Sequence, residues 1–151
     1  MNETMRAMVL EQFGAPLAPR TVPKPVPGKG EILVRIQASG VNPLDLKIRE
    51  GAGTHAQVKP PAIIGIDLAG TVAAVGPGVT DFAEGDAVFG MTGGVGSLQG
   101  SLAEYAVVDA DLVARTPANL TMHEAAALPL AFITAWEGLV DRAQLVAGQT
   151  L

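Results

Sequence analysis

One short segment, Gly40–Gly51, carries polar side chains that could do chemistry: the amide of Asn42 and the carboxylate of Asp45. An Asn followed by Pro is a favourable helix start, because Asn accepts a hydrogen bond from an early backbone N–H and Pro fits the first turn. The glycine at the end of the segment is a typical helix stop. The pattern therefore predicts a single short helix over Pro43–Glu50, with Asn42 as its cap and Asp45 complementing the helix dipole.

Other residue types that often carry chemistry are sparse. The sequence has no cysteine, which excludes a thiolate metal site, a cysteine nucleophile and a disulfide framework. The two histidines, His55 and His123, are far apart in sequence, and we interpret both as surface or capping neighbours. Gly93-Gly-Val-Gly96 looks like a phosphate-binding run, but it lacks the full G-x-G-x-x-G spacing and does not open a helix after a buried strand. We expect a flexible loop there, bordering a substrate cleft.

Composition sets the class of protein that must position these residues. Of 151 residues, 48% are hydrophobic and 17% charged, which argues against a disordered chain. The net charge of −5, without clusters of Lys or Arg, argues against nucleic acid as a partner. Apolar runs are too short to span a membrane, and the N-terminus does not resemble a signal peptide. We therefore expect a cytoplasmic protein.

Short strands separated by turns account for the many Gly and Pro residues. The predicted strands are Met5–Leu10, Glu31–Ala38, Leu68–Val75, Asp86–Met91 and Ser101–Val108. A Pro-rich stretch, Pro16–Pro27, cannot be a central strand because proline lacks the N–H that a ladder needs. Five or six short strands of this kind predict a small barrel or sandwich.

Apart from the short helix over Pro43–Glu50, helices are expected near the end of the chain. Thr121 and Glu124 have the spacing of a capping box. The pattern continues through Arg142 as one kinked helix or two consecutive helices, in which Phe132 and Trp136 are spaced for core packing. The residues after Gly148 look like the start of a further strand.

Six motifs then occur in order along the chain. They are Glu31-Ile-Leu-Val34, Gly40-Val-Asn42-x-x-Asp45, Gly65-x-Asp67-x-x-Gly70, Val75-Gly76, Gly85-Asp86-x-Val88 and Ala103-Glu104-Tyr105. Together they make the chain, from about Met5 to Leu151, resemble the medium-chain dehydrogenases/reductases. The resemblance implies a mainly β fold with short helices: a GroES-like β-barrel over residues 1–120, and a helical connector over 121–151 that leads to a Rossmann domain absent from this sequence.

Zinc alcohol dehydrogenases of that family bear metal ligands at three positions that can be compared. They place Cys at the position of Asn42, His-Glu at Ile66-Asp67, and a further Cys near Leu130 when Thr134-Ala-Trp136 is aligned with their Thr-Gly-Tyr segment. An amide, an isoleucine and a leucine do not make the N/S site that zinc needs. The resemblance is therefore to the zinc-independent quinone oxidoreductases, the ζ-crystallin-like branch, and we expect no metal ligand.

In that branch the cofactor is NADP(H) or NAD(H), and the substrate is a quinone, an enone or a carbonyl compound. By position, Asn42 becomes a catalytic or cofactor-contacting hydrogen-bonding residue and Thr134 a nicotinamide contact. Lys47 stands where many quinone oxidoreductases have Tyr. It is either a donor to the substrate oxygen or a solvated surface residue.

We expect this chain alone to be inactive and to bind no cofactor, because hydride transfer needs the missing nucleotide-binding domain. The full-length protein would be a homodimer or homotetramer. Two alternatives remain open at this point: a free-standing GroES-like binding or assembly module, and a zinc-type alcohol dehydrogenase that has lost its metal site.

Overall fold

The fold is built from eight short β-strands and three short α-helices within residues 3–150, the part of the chain that a computed structural model describes. The strands are β1 (Thr4–Leu10), β2 (Ala18–Pro23), β3 (Glu31–Ser39), β4 (Ala62–Ile63), β5 (Asp67–Val75), β6 (Ala87–Met91), β7 (Tyr105–Asp109) and β8 (Val113–Arg115). The helices are α1 (Pro43–Arg49), α2 (Met122–Ala126) and α3 (Pro129–Trp136), with 3-10 turns at Thr54–Ala56 and Ala110–Leu112 and a π-helical segment at Glu137–Arg142. The predicted mainly β class with short helices is confirmed.

The larger sheet has five antiparallel strands in the order β7-β3-β5-β6-β8. Burial alternates along β6 and β7, as it does where one face of a strand packs on the core, whereas the first four residues of β5 are all buried. The buried side chains meet in one core, formed by Ile32, Val34, Leu68, Val72, Val88, Ala106 and Val108. Register shifts between β3 and β5 interrupt the ladder, and irregularities of this kind bend strands.

The smaller sheet has the order β2-β1-β4. Strand β2 lies inside the Pro-rich stretch, and it occupies an edge, where a missing N–H costs no ladder bond. The exclusion of this stretch from a central position is confirmed. A second apolar cluster links this sheet to α1 through Leu10, Ile48, Ile64 and Ile66.

Two parts of the strand prediction were wrong. The segment predicted as Ser101–Val108 is regular only from Tyr105 onward. Before that point, Ser101 is buried, and its Oγ lies 2.6 Å from Ser39 Oγ. Its backbone bonds to Gly65 outside the regular ladders. Strands β4 and β8, of 2 and 3 residues, were not predicted because such short pieces show no periodicity.

The late helices begin as predicted and then differ in their packing. In the capping box, Glu124 N–H donates to Thr121 Oγ1 at 3.3 Å, and Thr121 N–H donates to Glu124 Oε2 at 2.8 Å. Two consecutive helices follow. The prediction that Phe132 and Trp136 pack in the core was wrong, because they are 60% and 51% exposed. Their rings contact each other instead, with centroids 5.8 Å apart.

The end of the chain adds no strand within the described residues. Gln149 and Thr150 have no regular structure, and Leu151 lies outside the described residues. Among residues 3–150, no helix has the length and apolar character needed to cross a membrane.

Candidate functional site

Asn42 is the N-cap of α1, as predicted. Its backbone is extended, and its side chain faces the backbone N–H of Asp45 in a capping box. The side chain has a further partner that was not predicted, because its Nδ2 donates to Asp67 Oδ2 at 3.0 Å. The amide of Asn42 therefore connects the start of α1 to the start of β5.

Asp45 supplies the cap in the opposite direction. Its Oδ2 accepts the backbone N–H of Asn42 at 2.7 Å. The side chain is only 4% exposed, and within residues 3–150 its Oδ1 has no hydrogen-bond partner. Burial raises the pKa of the Asp45 carboxyl, and the nearby charge of Asp67 adds to that rise. Asp45 does more than complement a helix dipole.

Asp67 connects this segment to the late helices. It begins β5 and is fully buried. Besides the amide of Asn42, it accepts the backbone N–H of Leu130, at 3.1 Å to Oδ1 and 3.2 Å to Oδ2. Burial raises the pKa of the Asp67 carboxyl, while the bonds from Asn42 and Leu130 favour the charged form and limit the rise.

A glycine allows these elements to approach one another. A Cβ on Gly40 would collide with the carbonyl oxygen of Ala126, at the end of α2, and would crowd Asp67. Ala125 and Ala126 are buried against Ala69 of β5. Small residues on both sides therefore bring α2 close to the start of α1.

The other two predicted site residues are exposed. Thr134 lies on α3 with its side chain open to solvent. Lys47 is exposed on α1, and none of the side-chain hydrogen bonds or ion pairs found within residues 3–150 involves its amine. Of the three predicted residues, only Asn42 is tied to a buried polar network, and Asp67 links that network to the helix that carries Thr134.

Two surface grooves lie away from these residues. One of about 720 Å³ runs between the small sheet and the Gly93–Gly96 loop. Another of about 430 Å³ lies beside α3, lined by Phe89, Leu128, Phe132 and others. Neither is lined by Asn42 or Thr134. The Gly-rich loop thus borders a groove, but Asn42, Lys47 and Thr134 do not line it.

Comparison with known proteins identifies the family to which this chain belongs. Residues 28–118 match the alcohol dehydrogenase GroES-like domain. The chain belongs to this family. An alcohol dehydrogenase superfamily protein from Novosphingobium aromaticivorans superposes with a TM-score of 0.94 at 60% identity, covering 97% of this chain and 44% of that one. The predicted GroES-like fold is confirmed.

Two further relatives differ in what their names state. A zinc-type alcohol dehydrogenase-like protein of Staphylococcus aureus is 43% identical over 118 residues, which are 78% of this chain and 33% of that protein. The quinone oxidoreductase from Coxiella burnetii superposes with a TM-score of 0.86 at 29% identity, covering 97% of this chain and 47% of that one. The chain thus spans a third to a half of the length of these relatives, which are dehydrogenases and oxidoreductases.

Sequence reasoning missed Asp67 as a site residue. A signal was present, because a lone carboxylate at the start of an apolar strand needs buried donors. The pairing of Asp45 with Asn42 could also have been predicted from the sequence, since the two residues have the N-cap and N3 spacing of a capping box.

Proposed function

We propose that this chain is the catalytic-domain part of a zinc-independent, NAD(P)H-dependent oxidoreductase that reduces a quinone, an enone or a carbonyl compound by direct hydride transfer. The longer protein that contains it is proposed to be a cytoplasmic homodimer or homotetramer. In this proposal Asn42 and Thr134 face the nicotinamide and the substrate, and the nucleotide itself is held by a part of the protein outside this chain.

The proposal rests on the side chains at Asn42, Ile66 and Leu130, the three positions where zinc alcohol dehydrogenases have metal ligands. Ile66 is 3% exposed and packs in an apolar cluster. Leu130 offers only an aliphatic side chain, and the amide of Asn42 donates to Asp67. Zinc in proteins is bound by thiolate, imidazole or carboxylate groups, mostly in sets of three or four. The residues present do not fit zinc, although the names of some relatives imply that metal.

Asn42 retains a donor for the reaction. A side-chain amide has two N–H donors and one acceptor oxygen, and a single bond from Nδ2 goes to Asp67. The second N–H can donate to a substrate oxygen as negative charge develops there. A pre-positioned donor of this kind stabilises the transition state, and the bound nicotinamide supplies the hydride.

Lys47 is the second candidate donor. Its exposed ammonium would lie on the same short helix, and it is proposed to approach the substrate oxygen only when the rest of the protein closes the cleft. Its exposure in this chain equally fits a solvated surface lysine.

A paired substitution in the longer protein tests the proposal. Asn42→Ala should lower turnover of NADPH- or NADH-dependent reduction on the order of a hundredfold to a thousandfold, the range found for loss of one such donor. Asn119→Ala is the matched control, because Asn119 is exposed and lies outside the network described above. Equal turnover of the two variants and the wild type would contradict the proposed role.

Metal analysis separates the proposal from a zinc-type dehydrogenase. The purified longer protein should contain no stoichiometric zinc at this site, and its turnover should survive dialysis against a chelator. One equivalent of zinc, lost together with activity, would refute the metal-free mechanism. A protein that neither binds nicotinamide nucleotides nor turns over would favour the alternative of a binding or assembly module.

A further inference from the structure

We propose that Asp67 is the positioning residue of this site: its single buried carboxylate fixes Asn42 and the start of α3 relative to each other. This inference rests on the function proposed above, because it matters for turnover only where Asn42 and Thr134 serve the cofactor and substrate. Asp67 itself lies beneath the site and does not contact the reacting atoms.

The carboxylate joins three distant parts of the chain. Asn42 is 25 residues before Asp67, and Leu130 is 63 residues after it. Both partners donate to the same carboxylate, at 3.0 Å from Asn42 Nδ2 and 3.1 Å from Leu130 N. Since Asp67 is fully buried, bulk water does not compete for these bonds, and bonds to a charged acceptor are stronger than neutral ones.

The bond to Leu130 replaces a local cap for α3. The first N–H groups of a helix have no partner within the helix. Here Leu128, at the cap position, makes no side-chain cap bond, and Pro129 has no N–H. Leu130 therefore offers the first free donor, and the charge of Asp67 also complements the positive end of the helix dipole.

The same bond sets the position of Thr134. Thr134 follows Leu130 by four residues, which places the two on the same face of α3, one turn apart. The carboxylate that orients the amide of Asn42 thus also anchors the turn that presents Thr134. One side chain controls the spacing of two groups that must meet one nicotinamide ring.

A nearly isosteric substitution separates positioning from simple support of the fold. Asp67→Asn keeps the volume and one acceptor oxygen, but it places an NH2 group against one of the two donors. The chain can still fold, while Asn42 or Leu130 loses its acceptor. Asp86→Asn is the matched control, because Asp86 also accepts a backbone N–H, from Ala83 at 2.8 Å, but lies in a turn before β6.

The first measurement is amide hydrogen exchange by NMR on this 151-residue chain. In Asp67→Asn, the backbone N–H of Leu130 or the side-chain NH2 of Asn42 should exchange about tenfold faster, while core amides such as that of Val88 keep their rates. Asp86→Asn should leave both unchanged. Unchanged exchange at Leu130 and Asn42 in Asp67→Asn would overturn the proposal, whatever the activity.

The second measurement is steady-state kinetics of the longer oxidoreductase. Asp67→Asn should lower kcat about tenfold or more with little change in KM, because small misplacement of reacting groups acts on the chemical step. If Asn42→Ala lowers turnover and Asp67→Asn does not, the positioning role is wrong and the proposed function stands. If Asn42→Ala has no effect, the proposed function fails, and the role of Asp67 in turnover fails with it.

Discussion

Asp45 and Asp67 are two buried carboxylates that both accept hydrogen bonds from Asn42, Asp45 from its backbone N–H and Asp67 from its side-chain amide. Burial makes the charged form of each carboxylate unfavourable unless it is compensated. Removing a charge from water is costly unless hydrogen bonds replace the lost hydration. Asp67 has bonds to both oxygens, whereas Asp45 Oδ1 has no partner within residues 3–150. Of the two, Asp45 is therefore the one whose ionisation is poorly compensated.

Asp45→Asn should accordingly change how stability depends on pH. The pKa of Asp45 is raised in the folded chain by burial and by Asp67, so the folded state holds its proton more tightly than the unfolded state. Stability from this group is fully present below its ordinary pKa of 3.8 and is lost as pH rises through the raised folded value. The neutral amide cannot ionise. The free energy of unfolding of Asp45→Asn, relative to wild type, should therefore increase from pH 3 to pH 7, as measured by urea denaturation.

The difference in unfolding free energy between Asp45→Asn and wild type is the quantity to follow, because other carboxyls change the pH dependence of stability in the opposite direction. Hydrogen bonds or ion pairs lower the pKa of four carboxyls elsewhere in the chain, Glu3, Asp86, Glu104 and Glu124. Their contribution is lost as pH falls, and it cancels in the comparison. Asp111→Asn, on the exposed surface, is a suitable control. A relative stability of Asp45→Asn that is flat or falls with pH would show that the carboxylate is better compensated than its geometry indicates.

At the scale of elements, α2 is the short helix that attaches the late segment to the sheet. It has only five residues, too few to be stable on its own. Its two sources of stability are the packing of Ala125 and Ala126 on Ala69 and the capping box at Thr121. Loss of either should loosen α3 as well, because α3 follows directly.

Thr121→Ala should lower the free energy of unfolding by about 1 kcal/mol, the usual effect of losing a side-chain N-cap. Thermal unfolding at neutral pH measures this effect. Thr80→Ala is the control, since Thr80 is exposed and its Oγ1 reaches only the neighbouring Asp81. If the two substitutions lower stability equally, packing alone holds α2 in place.

The same elements show which features could be read from sequence. Strand β3 could be predicted, because its alternating residues report a half-buried strand directly. The capping box of α2 was equally local. The partners of Asp67 lie 25 and 63 residues away, so no local pattern identifies them. The prediction that Trp136 packs in the core failed for a related reason. Helical spacing shows that one face of a helix is apolar, but it does not show what covers that face.

At the scale of the whole molecule, α3 leaves an apolar face open. Leu128, Phe132, Ile133 and Trp136 are each at least 40% exposed. Contiguous exposed apolar surface commonly marks an interface. Since the chain covers 44% of a relative that it matches at 60% identity, we propose that the remainder of the longer protein covers this face.

The sole tryptophan of the chain makes that proposal measurable. Trp136 is the only Trp in the sequence, and it is 51% exposed. In this chain its fluorescence should be red-shifted and readily quenched by acrylamide. In the longer protein, with any tryptophans outside this chain replaced by Phe, the emission should shift to the blue and quenching should weaken, because burial removes the indole from water.

A concentration series on this chain distinguishes a second copy from the rest of the protein as the cover. If two copies of the chain bury α3 against each other, the emission shifts to the blue as concentration rises, and Phe132→Gln abolishes the shift. If the rest of the protein is the cover, the emission of the chain is independent of concentration and only the longer protein is protected. Equal quenching of the chain and the longer protein at every concentration would mean that the apolar face of α3 stays open to solvent and that the remainder of the protein does not cover it.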